Sequence, residues 1–280
     1  MTRVLVTGAR GKTGRPLSQL LGARSDVEVL GGSSDPAAVV LDGVTPIRFD
    51  WDDPTTWTSA LDDVDAVYVV RPDRADAPEL VEALVDEISA GARVVLLSER
   101  RADDVDWSVR TEQVVRDGKH PWTILRPDWF MQVLVDDRFY LGSLVELGEL
   151  AFPSGGARLA WIDARDIAAV AERALLSDAY ESQVLELTGP EAMTLARTTE
   201  LISEAMRRPV THREVGIDEA VAGMQGFERE LTELTFERVR SGSFSDVTDT
   251  VERVTGAPAR SLETFLADHQ SELRRSPDWS

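Results

Sequence analysis

Short apolar stretches alternate with longer amphipathic ones through the first half of the chain. The apolar stretches predict β-strands at residues 3–6, 27–30, 46–49, 66–70, 93–97 and 122–125. Several are apolar nearly throughout, as strands are when helices cover both faces of a sheet. The amphipathic stretches predict helices at about residues 12–21, 54–61, 78–89 and 107–115. This alternation favours an α/β fold with a Rossmann-type doubly wound parallel sheet.

The pattern changes after Pro127. Residues 128–144 are rich in aromatic side chains, residues 148–153 and 183–187 predict strands, and Asp163 is placed to cap a helix that runs to Leu176. Later segments are mostly helical in pattern: 195–206, 218–224, 228–239, 246–254 and 262–273. We therefore expect a sheet domain of the nucleotide-binding type in residues 1–150, to which residues 160–188 return. A smaller, mainly helical substrate lobe is expected in residues 189–280, with the small molecule in a cleft between such lobes.

Three glycines follow the first predicted strand at intervals of three residues. Gly8 permits a tight turn, Gly11 lets backbone amides approach a pyrophosphate, and Gly14 lets helix and strand pack closely. A helix that starts here presents free amides and the positive end of its dipole to an anion. A glycine triplet is also compatible with a turn that binds nothing, but its position between the first strand and a helix favours a dinucleotide site. The same loop carries Arg10, Lys12 and Thr13.

The tip of the second predicted strand bears on the choice of dinucleotide. An acidic residue there would bind the ribose hydroxyls of NAD, whereas a basic residue would favour the additional phosphate of NADP. Ser33 and Ser34 can donate hydrogen bonds to a phosphate, and Arg10 can supply positive charge. Asp35 stands further along, beside a proline, and is better explained as a turn residue. The sequence therefore favours NADP, with NAD possible.

Further candidate cofactor residues stand where other strands end. Asp50 and Trp51 follow the third strand, where the carboxylate could accept a hydrogen bond from the adenine amino group; a capping and turn cluster is the alternative. Arg71 and Pro72 follow the fourth strand, where the backbone passes beside the cofactor ribose, although the arginine could be a surface charge. Ser98 follows the fifth strand and either contacts the nicotinamide side or caps a loop. Ligands of open α/β sheets collect at these strand ends.

Several motifs together resemble one protein family. They are the glycine turn from Thr7, Phe49-Asp50-Trp51, Val69-Val70-Arg71-Pro72, residues 123–131, residues 161–168 and residues 187–192. In these the chain is similar to the NmrA-like branch of the atypical short-chain dehydrogenase/reductases, and to its NAD(P)H-binding members akin to festuclavine dehydrogenase and azoreductase-like proteins. The resemblance extends almost from end to end. It implies the fold and the cofactor, but not a substrate.

The chain lacks the catalytic pair of standard short-chain dehydrogenases. That pair is a tyrosine four residues before a lysine, in which the lysine lowers the tyrosine pKa and the tyrosine moves the proton. The chain has three tyrosines, none of which has a lysine four residues later, and its only lysines are Lys12 and Lys119. The helix after the fifth strand carries Glu112, which resembles the family's usual glutamate. Loss of the pair is common in this branch, and hydride transfer to a flavin, quinone or iminium proceeds without a strong protein acid.

Aromatic residues supply the candidates for substrate binding. Trp107 and Arg110 are the candidate catalytic residues: they lie three apart on a predicted helix and could together bind a flat anionic or carbonyl-bearing substrate. A core tryptophan beside a surface arginine is the alternative. Trp129, Phe130 and Met131 are expected to line an apolar pocket after the sixth strand, although Phe130 could equally pack in the core. Trp161 is expected to close the same cleft from the second lobe.

Composition excludes several classes of function. Thirty basic and 50 acidic residues give a formal net charge of −20, which repels phosphate backbones and anionic lipids, so we expect neither a nucleic-acid nor a membrane partner. There are no cysteines, and the three histidines are scattered, so a metal centre is not expected. No apolar run approaches the ~20 residues of a membrane span, and no signal peptide is recognised, so a cytoplasmic location is expected.

These observations favour an NAD(P)H-dependent reductase. Its acceptor is expected to be a hydrophobic aromatic or conjugated small molecule of the quinone, azo, imine or enone type. One alternative is an NADP-sensing regulator that acts through a partner protein, because NmrA gives this branch a regulatory role. Another is a non-redox cyclase or isomerase of a biosynthetic pathway. The sequence does not predict the oligomeric state.

Overall fold

The computed structural model describes residues 1–275. The strands, in chain order, are β1 Thr2–Val6, β2 Val27–Ser33, β3 Val44–Arg48, β4 Ala66–Val70, β5 Arg93–Leu97, β6 Trp122–Pro127, β7 Glu149–Phe152, β8 Arg158–Leu159, β9 Gln183–Leu187, β10 Met193–Thr194 and β11 Thr211–Glu214. The helices are α1 Gly14–Gly22, α2 Trp57–Ala60, α3 Ala77–Glu87, α4 Asp106–Asp117, α5 Leu141–Leu147, α6 Ala164–Leu176, α7 Leu195–Met206, α8 Ile217–Ala220, α9 Gly226–Arg240, α10 Thr250–Thr255, α11 Leu262–Asp268 and α12 Gln270–Leu273.

The chain divides into two compact units. The first contains residues 1–127, 164–187 and 253–256, and the second contains the rest of the described chain. The sequence expectation ended the sheet domain at residue 150, whereas the structure assigns residues 128–163 to the second unit. The reason is packing, since Met131, Leu134 and Leu144 are buried in the apolar core of the second unit.

The first unit is built on a seven-stranded sheet. Its strands are all parallel, in the order β3-β2-β1-β4-β5-β6-β9. α1 packs against α6, and α3 packs against α4. The strand order reverses between β1 and β4, and ligands of doubly wound folds bind at the carboxyl ends of the strands beside such a reversal. The predicted Rossmann-type doubly wound α/β fold is confirmed.

The second unit combines helices with two small sheets. β8 pairs antiparallel with β10, and β7 pairs in parallel with β11. Its core is a single cluster of buried aliphatic and aromatic side chains contributed by α5, α7, α9 and α11 together with the short strands. The predicted aromatic segment 128–144 contains a short 3₁₀ helix, Met131–Val135, followed by the start of α5.

Two predicted helices differ in detail. The segment 54–61 is a 3₁₀ turn, Pro54–Thr56, followed by α2, and the Asp53 carboxylate accepts a hydrogen bond from the Thr55 hydroxyl. The segment 262–273 is interrupted at His269, which separates α11 from α12. Within residues 1–275, no helix is long and apolar enough to cross a bilayer.

Candidate dinucleotide and reduction site

The glycine turn joins β1 to α1 in a tight backbone loop. Gly8 has a φ of +66°, which a residue with a side chain rarely adopts. A Cβ atom on Gly14 would lie 2.3 Å from the Gly8 carbonyl oxygen, so only glycine lets α1 start this close to β1. The Gly11 amide donates to that same oxygen over 2.8 Å. The structure therefore forms the turn that the glycine spacing predicts.

The exposed face of this turn suits a pyrophosphate. Gly8, Arg10 and Gly11 are exposed to solvent, and α1 begins three residues after Gly11. Among the described residues, the amides of Arg10 and Thr13 donate no hydrogen bond to another backbone group. Unused amides beside a helix N-terminus are the donors that bind phosphate oxygens. The donor set therefore fits a dinucleotide.

The tip of β2 presents two serines with different surroundings. Ser33 is buried, and its hydroxyl oxygen accepts a hydrogen bond from the Asp35 amide over 3.1 Å, so its own hydrogen stays available to an acceptor. Ser34 is exposed. Asp35 precedes a 3₁₀ turn that begins at Pro36, which agrees with its interpretation as a turn residue. The tip therefore offers serine hydroxyls as hydrogen-bond donors. Its one carboxylate, Asp35, belongs to the following turn and is not positioned as an acceptor for ribose hydroxyls.

After β3 the chain forms a turn at Asp50 and Trp51 that packs against aromatic side chains. The Asp50 carbonyl accepts from the Trp57 indole over 2.8 Å, and the Asp50 carboxylate accepts from the Asp52 amide over 3.1 Å. Trp51 is half-buried, and its ring contacts Trp57 edge-on at 5.7 Å between centroids. The turn cluster that the sequence left open is therefore present. It leaves the half-buried Asp50 and Trp51 at the carboxyl edge of the sheet.

A buried network of charges lies behind the end of β5. Glu112 is fully buried on α4, and its carboxylate accepts hydrogen bonds from Ser98 over 2.6 Å, from Arg116 over 2.7 Å and twice from Arg126 over 2.7 and 2.8 Å. Burial opposes the charge of Arg126, but hydrogen bonds to Glu112 and Asp103 outweigh burial and raise its pKa. The Ser98 hydroxyl hydrogen is thus held by Glu112, which leaves only its lone pairs for any other partner.

Arg71, the residue after β4, has a buried side chain with few hydrogen-bond acceptors nearby. The Arg71 guanidinium lies 3.7 Å from the centre of the Trp107 ring, and its Nη2 is 3.4 Å from both the Glu99 carboxylate and the Ser108 hydroxyl. Its Nε and Nη1 are buried without a hydrogen-bond partner among the described residues. Burial lowers the pKa of Arg71, and the nearby carboxylates of Glu99 and Asp73 act against that shift. Ser108 donates its own hydrogen to Glu99.

Trp107 and Arg110 have different surroundings in the structure. The Trp107 ring is buried, and its indole N–H donates to the Arg74 carbonyl over 2.7 Å. Arg110 is exposed and forms an ion pair with Glu79 on α3. The long arginine side chain turns towards α3, so the spacing of three residues does not bring the two groups together. The structure instead brings Trp107 together with Arg71.

The tyrosines of the chain give no proton-transfer pair. Tyr68 is fully buried in β4, and burial raises its pKa. Tyr140 belongs to the second unit, where burial likewise raises its pKa. The Tyr180 hydroxyl donates to the Val254 carbonyl over 3.4 Å. Lys119 is exposed in the turn after α4. The described residues therefore contain no tyrosine and lysine in the arrangement that standard members use.

The aromatic residues after β6 divide into core and surface. Trp161 and Met131 are almost completely inaccessible, and the Trp161 indole donates to the Thr198 hydroxyl over 3.1 Å inside the core of the second unit. Trp129 and Phe130 are half-buried. The Trp129 ring stacks on Phe236 at 6.0 Å between centroids. Of the four predicted pocket residues, these two retain surface for a ligand, while the other two shape the core beneath them.

Sequence reasoning missed three polar residues at the carboxyl edge of the first unit. They are Asp73 after β4, Glu99 after β5, and Ser108 on α4. The available signal was the position of two carboxylates two or three residues after strand ends, where ligands of parallel sheets bind. Their association with Arg71 depends on tertiary packing, which residue spacing does not express.

This fold and this site define a Rossmann-type dinucleotide-binding protein. A family model described as NAD(P)H-binding matches residues 8–175, and the chain belongs to that family, in its NmrA-like atypical short-chain dehydrogenase/reductase branch. The protein is thus an NAD(P)H-binding member of an oxidoreductase family.

Several relatives are similar over nearly the whole chain. One is the (4-alkanoyl-5-oxo-2,5-dihydrofuran-3-yl)methyl phosphate reductase of Streptomyces griseus subsp. griseus, which is 31% identical over 95% of this chain and 97% of its own. The NAD(P)H azoreductase of Xenophilus azovorans is 31% identical with the same two coverages. Among solved structures, the NADPH-dependent quinone oxidoreductase QOR2 from Escherichia coli, complexed with NADPH, superposes with a TM-score of 0.79 at 20% identity, covering 95% of this chain and 99% of that one.

Proposed function

We propose that the protein is an NAD(P)H-dependent reductase of hydrophobic aromatic or conjugated acceptors of the quinone, azo, imine or enone type. The observation that carries the proposal is a tight glycine turn with unused backbone amides, in a chain that has no tyrosine–lysine pair. Conjugated acceptors spread the negative charge that arrives with a hydride, so they need less help from a protein acid than an isolated carbonyl does. Relatives named as an azoreductase and as a reductase of an unsaturated lactone support this acceptor class.

The chain's own residues would bind and orient the dinucleotide. The turn residues Gly8, Arg10, Gly11, Lys12 and Thr13 would hold the pyrophosphate with backbone amides and positive charge. Beyond the turn, strand-end residues would serve the remaining parts: Ser33 and Ser34 the additional phosphate of NADP, Asp50 and Trp51 the adenine, and Arg71, Pro72 and Ser98 the nicotinamide half. When bound, the cofactor supplies the hydride.

The acceptor would meet aromatic surface. Trp129 and Phe130 are half-buried residues of the second unit. Aromatic rings favour flat apolar ligands because stacking adds to the burial of apolar area. Trp107 is better suited to supporting Arg71 than to contacting the acceptor, because its ring is covered by the guanidinium.

The decisive experiment combines binding with turnover. Fluorescence titrations with NADPH and NADH would measure the two affinities, and oxidation of the bound cofactor would be followed with a quinone, an azo dye, an enone and an aliphatic ketone. We expect tighter binding of NADPH and turnover with the conjugated acceptors. Binding without turnover across such a panel would overturn the reductase and favour a protein that only senses the dinucleotide.

The glycine turn can be tested with Gly11→Val. Gly11 is exposed, and a Cβ atom there would already lie 3.1 Å from the Gly8 carbonyl oxygen. The valine methyl groups would cover the amides that receive the pyrophosphate, so we expect dinucleotide affinity to fall below detection. Gly216→Val is the matched control, because nothing lies within 4 Å of its Cβ position. Unchanged affinity of Gly11→Val for NADPH would remove the proposed site.

The preference for NADP can be tested at the tip of β2. Replacing Ser33 and Ser34 by aspartate adds negative charge where the additional phosphate would bind, so we expect the ratio of NADPH to NADH affinity to fall. Ser34→Asp alone avoids placing a charge at the buried Ser33 position. Ser89→Asp adds the same charge at an exposed site away from the turn. A ratio that does not move in either tip variant would show that the phosphate binds elsewhere.

A further inference from the structure

An unpartnered carboxylate stands beside the reversal of strand order in the first unit. Asp73 belongs to the loop that leaves β4, the strand next to β1 and its glycine turn. Its side chain is exposed, and within residues 1–275 it takes part in no hydrogen bond or ion pair. In a chain of 50 acidic residues, an exposed carboxylate is ordinary by itself. What distinguishes Asp73 is how its loop is held and which charges face it.

Asp73 occupies the tip of a very tight turn. The Arg74 amide donates to the Pro72 carbonyl over 3.0 Å, which closes a three-residue γ-turn with Asp73 at its centre. Trp107 holds both sides of the turn. Its ring lies under the Arg71 guanidinium at 3.7 Å, and its indole N–H binds the Arg74 carbonyl over 2.7 Å. The carboxylate is therefore presented from a fixed backbone and not from a loose loop.

Charges from three parts of the first unit act on Asp73. Nearby protein atoms partly desolvate the carboxyl group and raise its pKa, and the negative charge of Glu99 after β5 acts in the same direction. Arg71 on its own loop and Lys12 in the glycine turn act in the opposite direction. Because the charge of Lys12 acts on Asp73, the carboxylate lies within electrostatic range of the turn that would bind the pyrophosphate. Raised pKa values of accessible carboxyl groups at ligand sites are typical of general acids.

We propose that the Asp73 carboxyl group donates the proton that completes the reduction. This inference rests on the proposed reductase function. The acceptor gains a hydride from the bound nicotinamide at one end of its double bond, and the π-electron pair moves to the other end. That end takes the proton as the O–H bond of Asp73 breaks. The acceptor is reduced by two electrons, the cofactor is oxidised, and the carboxylate regains a proton from water.

The test compares Asp73→Asn, Asp73→Glu and the control Asp86→Asn with the wild-type protein. Asp86 is an exposed aspartate on α3, so its replacement makes the same change of charge on the same unit. Two readouts are needed. The first is kcat with a quinone as a function of pH. The second is the number of protons taken up when NADPH binds, obtained by calorimetry in buffers of different ionisation enthalpy, which requires no turnover.

We expect kcat of the wild-type protein to fall as pH rises, because an acid must be protonated to donate. Asp73→Asn should lower kcat by about 100-fold or more and abolish this alkaline limb, while Asp73→Glu restores part of both. Bound NADPH is anionic and raises the pKa of a nearby carboxyl group, so wild type and Asp86→Asn should take up protons on binding and Asp73→Asn should not.

The outcomes separate this inference from the proposed function. If the wild-type protein reduces the quinone and Asp73→Asn matches its kcat and pH profile, the reductase stands and the role of Asp73 is overturned. The same holds if proton uptake persists in Asp73→Asn. If the wild-type protein binds NADPH but reduces no acceptor, the reductase is overturned and the proton donor with it.

Discussion

Two carboxylates in the first unit, Glu112 and Asp73, have opposite environments. Glu112 is inaccessible and accepts four hydrogen bonds, from Ser98, Arg116 and Arg126. Asp73 is accessible and accepts none among the described residues. Buried charge is tolerated only when it is fully paired, so the first arrangement belongs to the stability of the fold. An accessible, unpaired group on a fixed turn has capacity for a ligand or a proton.

The arginines nearest these two carboxylates, Arg126 and Arg71, also differ in how fully they are hydrogen-bonded. Arg126 donates five hydrogen bonds to carboxylates, and its pKa is raised. Arg71 is also buried, but it makes two long contacts of 3.4 Å and rests on an aromatic ring, and burial lowers its pKa. The difference is that the Arg126 guanidinium has carboxylate acceptors for its hydrogen bonds, whereas the Arg71 guanidinium has buried N–H groups without a partner among the described residues.

The largest predicted effect is on stability and concerns Glu112. Glu112→Gln removes the negative charge and leaves Arg126 and Arg116 with a neutral partner in a buried site. We expect the free energy of unfolding in urea to fall by about 3–5 kcal/mol, the usual cost of removing one partner from a buried ion pair. Glu82→Gln, at an exposed position on α3, is the control and should change it by about 0.5 kcal/mol or less. Equal stability of the two variants would mean that the Glu112 network does not stabilise the fold.

A smaller effect is expected at Trp107, which connects α4 to the Asp73 loop. Trp107→Phe keeps an aromatic surface under Arg71 but loses the N–H that binds the Arg74 carbonyl. We expect a loss of about 1–3 kcal/mol in unfolding free energy, because a buried hydrogen bond disappears. We also expect a lower kcat with little change in NADPH affinity, since Asp73 loses its fixed position.

The matched control for Trp107 is Trp122→Phe. Trp122 is half-buried at the opposite end of the sheet, where β6 begins. Its replacement should leave kcat unchanged. If Trp107→Phe behaves like Trp122→Phe in kcat, the indole does not position the proposed proton donor, whatever its effect on stability.

Much of the fold was readable in the sequence because burial on both faces of a strand leaves a continuous apolar run. The predicted strands 66–70 and 93–97 coincide with β4 and β5. The expected domain boundary at residue 150 differed because the apolar residues within 128–150 could, from the sequence, belong to the core of either unit. Only the three-dimensional packing of Met131 and Leu144 decides which core they join.

Only the part of the site that depends on backbone conformation, the glycine turn, could be predicted from the sequence. Glycine spacing indicates the turn from Gly8 to Gly14 because few other residues fit it. Aromatic residues carry no such signature, so Trp161 was expected in a pocket and lies in a core. The contact between Arg71 and Trp107 joins the residue after β4 to a residue of α4, and no sequence periodicity relates the two. For this reason Asp73 was not anticipated.

The smallest predicted effect concerns how stability depends on pH. The pKa of Asp103 is lowered by its hydrogen bonds with Arg126, so Asp103 stabilises the fold above its ordinary value of 3.8, and this contribution is lost as pH falls through its folded-state pKa. The pKa of Asp73 is raised, so its ionisation costs stability as pH rises from 3.8 through its folded-state pKa.

Replacing each by asparagine should therefore have opposite signs near neutral pH and no effect in acid. Asp103→Asn should be less stable than the wild-type protein by about 0.2–1 kcal/mol, the range of an exposed ion pair. Asp73→Asn should be more stable by about 0.5 kcal/mol or less, as for a surface substitution. Urea unfolding at several pH values measures both. A loss of stability in Asp73→Asn would show that the carboxylate has a structural partner, and the contrast with Glu112 would disappear.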